Sequence, residues 1–396
     1  MANTLTRQNN NRLPTILSCI IMGSFGMVLA IISPLLTEIS RDFSLGIAQS
    51  GMLFTISFTG FMAFIFVGGI LADRYSKKIV VSLSLFGYTA VLFLFAASGS
   101  FFVACIAIFM MGGFGGIIES QISGLVADMN PENPGYYINL SQIFLCLGAL
   151  AGPLLGGMTV SGGLGWRGAY YILSGFILVM ALLFITVKIP KLKVVDRVNI
   201  HFIKSILSDK KFLLICLCLI FYTGTEVGVW GWLSTFLKTT MNFSISDSAW
   251  SVGIFWVSML IGRMICGRLS LKYDIKYIII VLALLSGMAT ILAGLVKSGL
   301  LVWFVTGTIG LCYSSIYPFL VSMGGRIKSN ATAFSLLVGS GSAGSIVVPF
   351  LMGIVAEEVN MSFAMLSPAI LLFLIVPAIL LVNKRSTAEM PAEMPH

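Results

Sequence analysis

The stretch 69-GILADRYSKK-78 lies between two apolar runs and gathers four charged residues into ten positions. It returns 198 residues later as 267-GRLSLKYDIK-276, which keeps the Gly, the Leu, the Tyr and the final Lys and places Lys272 opposite Arg74. A second set repeats at nearly the same displacement. Gly148, Pro153 and Gly157 match Gly344, Pro349 and Gly353, 196 residues on. One match falls in a polar loop and the other inside an apolar run. Together they mark a chain built from two duplicated halves.

Composition names the solvent of those halves. Of 396 residues, 58% are hydrophobic and only 10% charged, with a mean hydropathy of +1.00. Soluble domains carry roughly 25% charged residues, so the chain reads as an all-α membrane protein. The net charge of +9 needs no nucleic-acid partner, because membrane proteins place Lys and Arg in cytoplasmic loops. The seven cysteines (Cys19, Cys105, Cys146, Cys216, Cys218, Cys266 and Cys312) all fall in apolar segments without metal-ligand spacing. They read as small buried hydrophobes, and neither a metal nor another cofactor is expected.

A bilayer core takes roughly 20 apolar residues per helix. Twelve segments qualify, near 14–38, 47–72, 78–97, 101–127, 137–160, 166–188, 212–237, 246–268, 276–296, 300–322, 331–356 and 363–383. The expected organisation is a six-helix half over 1–188, a linker over 189–211, a second six-helix half over 212–383 and a disordered tail over 384–396. The N-terminus shows no cleavable signal peptide. With it placed inside, nineteen of the 24 Lys and Arg are cytoplasmic, and Arg41, Arg167, Lys238 and Lys297 are outside. Both termini are therefore expected in the cytoplasm of a cell-membrane protein.

The first stretch, taken from Gly68 as "GGILADRYSKK", resembles the loop signature G-x-L-A-D-R-x-G-R-K of the major facilitator superfamily. Gly69, Leu71, Ala72, Asp73, Arg74 and Lys78 match, and Ser76 replaces the second glycine. The resemblance implies the major facilitator fold, with twelve transmembrane helices in two pseudo-symmetric six-helix halves. It implies a gating role for Gly69, Asp73, Arg74 and Lys78. Independently, Gly69 would permit close helix packing, and Asp73 at a helix end could pair across the halves. Arg74 and Lys78 could equally serve only to set topology.

Of 39 formally charged side chains, Glu119, Glu226 and Arg263 lie well inside spans. Each costs roughly 2.5–3.5 kcal/mol on insertion-derived scales, which points to a pathway. Glu119 sits in 112-GGFGGIIESQISG-124, where glycines would admit a close neighbour. Glu226 sits in the seventh span, and in the superfamily the first, fourth, seventh and tenth helices line the cavity. Removal from water penalises a carboxylate, so Glu119 can carry a proton across. Arg263 could snorkel out or, the preferred reading, pair within the bundle.

Tyr222, Glu226 and Trp230 share a helix face at i, i+4 spacing, and Tyr313 and Tyr317 repeat it in the tenth span. A carboxylate flanked by aromatic planes suits a sugar, although ordinary aromatic packing fits equally. "GGFGGIIES", "INLSQIFLCLGA", "FYTGTEVGVWGWL" and "FWVSMLIGRMICG" resemble segments of the fucose, galactose and glucose proton-symporter branch. That likeness implies proton coupling at Glu119 and sugar contacts from Gln142 and Glu226, with Asn139 in the same fifth-helix motif. Ser33 stands where fucose permease-like members have an aspartate before Pro-Leu-Leu. Proton coupling would then rest mainly on Glu119, with sodium coupling or uniport as open alternatives.

The expected function is alternating-access transport of a small polar solute, a monosaccharide, by a monomer coupled to protons. Export of a drug or metabolite by proton antiport is the alternative. "GALAGPLLGG" (148–157) fits an antiporter motif core, but Ile108 or Phe109 stands where such exporters carry a basic residue. No span contains His, and no nucleophile or acid–base grouping suggests an enzyme.

Overall fold

A computed structural model describes residues 2–187, 189, 208–296, 299–328 and 331–382. Among these are fourteen helices and no strand. The first half comprises α1 (Ala2–Asp42), α2 (Ile47–Arg74), α3 (Lys77–Ala97), α4 (Phe101–Met129), α5 (Pro134–Ser161) and α6 (Gly165–Thr186). Next come α7 (Lys210–Met241), α8 (Ile245–Leu269), α9 (Ile275–Leu295), α10 (Gly299–Tyr313) and α11 (Ile316–Ile327). The last are α12 (Ala331–Glu358), α13 (Met361–Leu366) and α14 (Ala369–Val382). They form twelve spans long and apolar enough to cross a bilayer, so this is a multi-pass membrane protein. The tail, most of the linker and His201 lie outside the described residues.

Three boundaries differ from the sequence expectation. The helix read from residue 14 begins at Ala2. Within it, buried Asn11 Nδ2 donates to Met129 O at the end of α4 (2.7 Å). Lys238, read as a loop residue, lies in the last turn of α7. The tenth and twelfth spans are each broken in two. Pro318 and Pro368 have no N–H to give the carbonyl four residues back, and turns stand at 314–315 and 367–368.

The packing repeats as the sequence does. α1 packs on α5 as α7 packs on α12, and α2 on α4 as α8 on α10. α3 packs on α6 as α9 packs on α14. The repeated glycines explain why the helices approach so closely. A Cβ on Gly148 would sit 1.8 Å from Gly23 O of α1, and one on Gly344 would sit 1.9 Å from Ile220 O of α7. Gly157 and Gly353 occupy equivalent places where the halves meet, against Ala249 of α8 and Ala48 of α2.

The halves join through α2 with α12, α5 with α8, and α1 with α7. Hydrogen bonds crossing this joint gather at the ends remote from the start of α1. Ser33 Oγ donates to Trp230 O (2.8 Å), Lys238 Nζ to Pro34 O (2.8 Å) and to Thr37, and Thr55 Oγ1 to Ile346 O (2.6 Å). Ala48 N donates to Glu357 Oε2 (2.7 Å), and Ser161 and Ser246 pair at 3.1 Å. The bundle is clasped on that far side. Deeper in the joint, Arg263 Nη1 of α8 reaches Cys146 Sγ of α5 at 3.8 Å.

Candidate functional site

Three ionisable side chains converge at mid-depth: Glu119 on α4, Glu226 on α7 and Arg263 on α8. Each is half-buried in surface terms, although each lies deep in the bundle. Each therefore keeps some accessible surface inside the bundle. Gly112 gives α4 its close contact with α2, where a Cβ would stand 1.9 Å from Ser57 O. That approach sets the register of Glu119 two turns further on.

Arg263 interacts electrostatically with both carboxylates, but it forms no ion pair with either. Ion pairs among the described residues are Arg41–Glu38, Lys77–Asp128 and Arg167–Asp42. Its Nε donates to Ser314 O (3.2 Å), while Nη1 and Nη2 reach the sulfurs of Cys146 (3.8 Å) and Met259 (3.7 Å). The guanidinium points into the bundle rather than snorkelling out. Ser314 O is the carbonyl that Pro318 cannot serve, so Arg263 caps the break in the tenth span.

A second donor holds the same break. Tyr222 Oη donates to Tyr313 O (2.5 Å). A phenol has one proton, so Tyr313 O and the neighbouring Glu226 carboxylate, which also interacts with Tyr222, compete for it. The state of Glu226 is thereby tied to the α10–α11 junction through both Tyr222 and Arg263.

Other residues singled out from sequence divide into two groups. Tyr317 is half-buried and interacts electrostatically with Glu119, Glu226 and Arg263. Gln142 is half-buried and Asn139 exposed. Both lie on the face of α5 that carries Cys146, itself in contact with Arg263. Tyr222, Tyr313 and Trp230 are almost wholly buried. The Tyr313 hydroxyl pairs with Thr290 (3.1 Å), and Trp230 packs against Phe54 and Trp256. Ser33 is buried and bonded to Trp230 O, so α1 offers no protonatable group there.

Of the loop-signature residues, Gly69 has nothing within 4 Å of a Cβ; the close contact lies at Gly68, 2.8 Å from Ile117. Arg74 stacks over Tyr75 (5.6 Å) and Lys78 Nζ donates to Ile185 O (2.8 Å). The Asp73 side chain lies outside the described residues. Lys77, not singled out as a gating residue, pairs with Asp128 at 2.5 Å. No group of three metal-binding side chains occurs among the described residues.

Twelve spans in two interlocking halves, with charged groups of both halves interacting inside the bundle, are the architecture of a membrane transporter. The model of the Major Facilitator Superfamily matches residues 18–330. The chain belongs to that superfamily. It is 21% identical over 368 residues to the "Protein TsgA homolog" of Buchnera aphidicola subsp. Baizongia pistaciae, covering 90% of this chain and 92% of that one. It is 24% identical over 310 residues to the glucose/mannose transporter GlcP of Bacillus subtilis, covering 75% and 76%. Among solved structures it resembles a bacterial homolog of the human lysosomal transporter Spinster, inward-facing and occupied, with TM-score 0.81, 16% identity and coverage of 93% and 96%. It also resembles the E. coli fucose:proton symporter FucP, with TM-score 0.64, 18% identity and coverage of 95% and 100%.

Proposed function

We propose that this protein moves a monosaccharide across the cell membrane by alternating access, in symport with a proton. The observation that carries the reading is that Glu119 and Glu226 interact with Arg263 inside the bundle, across the two halves, without an ion pair. A carboxylate locked to a permanent cation could not exchange its proton. Here Glu119 is close enough to feel Arg263 and free enough to load. Glu226, Gln142, Asn139 and Tyr317 are the groups for sugar hydroxyls, and the similarity to a glucose/mannose transporter supports that solute class.

The halves 1–188 and 212–383 rock about this site, joined by the linker 189–211. With both termini in the cytoplasm, the clasped side is the outside and the described state opens inward. The Asp73 loop would latch the opposite state, and a monomer suffices. Export is the weaker reading. Its motif glycines have a packing role here, since a Cβ on Gly152 would lie 2.2 Å from Met27 O.

The deciding experiment is uptake of a labelled monosaccharide panel by proteoliposomes under an imposed pH gradient, repeated under a sodium gradient. Proton-driven accumulation that Glu119→Gln abolishes while sparing counterflow exchange is the expected result. Accumulation driven by sodium alone, or equal loss of accumulation and exchange, would remove Glu119 from the coupling role.

A further inference from the structure

We propose that the transported sugar carries a carboxylate and that this group docks on the Nη edge of Arg263. The proposal rests on the sugar reading above and names the chemical class within it. Of the donors of Arg263, Nε serves Ser314 O (3.2 Å). Nη1 and Nη2 are turned to the sulfurs of Cys146 (3.8 Å) and Met259 (3.7 Å). Thiol and thioether sulfurs are weak acceptors, whereas the guanidinium fork matches two carboxylate oxygens at once. The edge left for an anion is therefore the Nη pair.

The charge of the cluster selects the same class. No ion pair among the described residues includes Arg263, and a charge held away from water without a partner is costly. A sugar hydroxyl can accept from the fork but leaves that charge uncompensated. A carboxylate supplies both the acceptors and the counter-charge. The titratable groups that face Arg263 are Glu119 of α4, Glu226 and Tyr222 of α7, Cys146 of α5 and Tyr317 of α11. With both glutamates ionised, they outweigh the guanidinium and repel a further anion. With both protonated, the positive charge of Arg263 stands alone. Protons must load before the anion, which ties the two together.

The Nη edge also lies at the joint. Nη1 belongs to α8 and its sulfur partner to α5 of the other half, so a carboxylate seated between them touches both halves. Gln142, one turn before Cys146 on α5, is on the face that would meet the sugar hydroxyls. A second cation marks the way in. Lys238 stands about 18 Å beyond Glu226 along α7, at the clasp, where it donates to Pro34 O (2.8 Å) and to Thr37. Both partners are neutral oxygens, and no ion pair among the described residues includes this lysine. Once the clasp opens, its ammonium group is free to draw an anion toward the joint.

The test is calorimetric binding to the full chain in lipid nanodiscs at neutral pH, where sugar carboxylates are ionised. D-glucose is compared with D-glucuronate and D-galactose with D-galacturonate, and L-lactate serves as a carboxylate without the ring. A uronate is expected to bind at least about tenfold tighter than its neutral parent, the scale of one hydrogen bond to a charged group. Arg263→Gln removes the fork. Met259→Glu instead fills it with a carboxylate one turn away on α8 and keeps Arg263 to serve Ser314 O, so it does not uncap the broken span. Each substitution should bring the ratio to one or below. Neutral sugars that bind as tightly as their uronates, or a uronate advantage that survives Met259→Glu, overturn the carboxylate dock and leave the sugar reading standing. Lactate binding without any sugar binding keeps the dock and removes the sugar. Binding of none of these compounds overturns both.

Discussion

The carboxylate of Glu357, at the end of α12, accepts the backbone N–H of Ala48 in the first turn of α2 at 2.7 Å, across the joint between the halves. Orphan N–H groups at a helix start attract an anion, so one half caps a helix of the other. The pseudo-equivalent place, where α5 meets α8, holds only the hydroxyl pair Ser161–Ser246. The clasp is therefore asymmetric in strength.

Glu357→Ala should loosen the clasp by about 1 kcal/mol, the ordinary worth of a helix cap, and raise the open population about fivefold. Labelling of Ser234→Cys, buried between Trp230 and Lys238 on the same face of α7, by a membrane-impermeant thiol reagent added outside would report it. An unchanged labelling rate would mean that the contact does not hold the joint.

Lys238→Met removes the donor that serves Pro34 O and Thr37 on α1. A loss of about 1–3 kcal/mol from the closed state is expected, as for other buried groups left without partners. Because this contact lies on α1–α7 and the Glu357 contact on α2–α12, the two effects should add within about 0.5 kcal/mol. Labelling rates of the double variant provide the check, and strong non-additivity would contradict independent clasps.

Gly148→Ala and Gly344→Ala each force a methyl to within 2 Å of a backbone carbonyl. Both should cost more than the ~1–3 kcal/mol of ordinary overpacking and lower the thermal midpoint of the purified protein. Gly69→Ala meets no atom within 4 Å and should leave that midpoint unchanged. Equal midpoints for all three variants would refute the packing account of the repeat.

Arg263→Gln strips the counter-charge from two carboxylates and the best donor from Ser314 O. Uptake should be lost and thermal stability lowered. Adding Glu226→Gln removes one of the stranded charges and should recover part of that stability. A coupling of about 0.5–3 kcal/mol in the double-mutant cycle is expected. Zero coupling would separate Arg263 from the site.

Tyr222→Phe leaves Tyr313 O without the 2.5 Å donor it now has and should destabilise the protein by about 1–3 kcal/mol. Thermal unfolding measures the loss. A neutral result would mean that the broken span does not depend on Tyr222.

Much of the fold was legible in the chain before any coordinates. A bilayer leaves helices few options, so apolar run length located twelve spans, and repeated Gly and Pro positions revealed the duplication. Glu119, Glu226 and Arg263 stood out because charge within a span is costly. The broken tenth span was also within reach, since Pro318 sits inside the run. Apolar length, however, does not register a missing N–H.

What composition and spacing could not supply was direction. Whether Arg263 faces lipid, water or Ser314 O depends on how α8 is rotated against α5 and α10. That rotation is set by side chains distant in sequence. The same holds for Tyr222 and Trp230, whose shared face with Glu226 was readable while their burial was not. Sequence alone determined the spans, the repeat and the identity of the buried charges, because these follow from local transfer energies. Only the tertiary structure decided which charges meet and which side of the joint is clasped, because those depend on contacts between helices far apart in the chain.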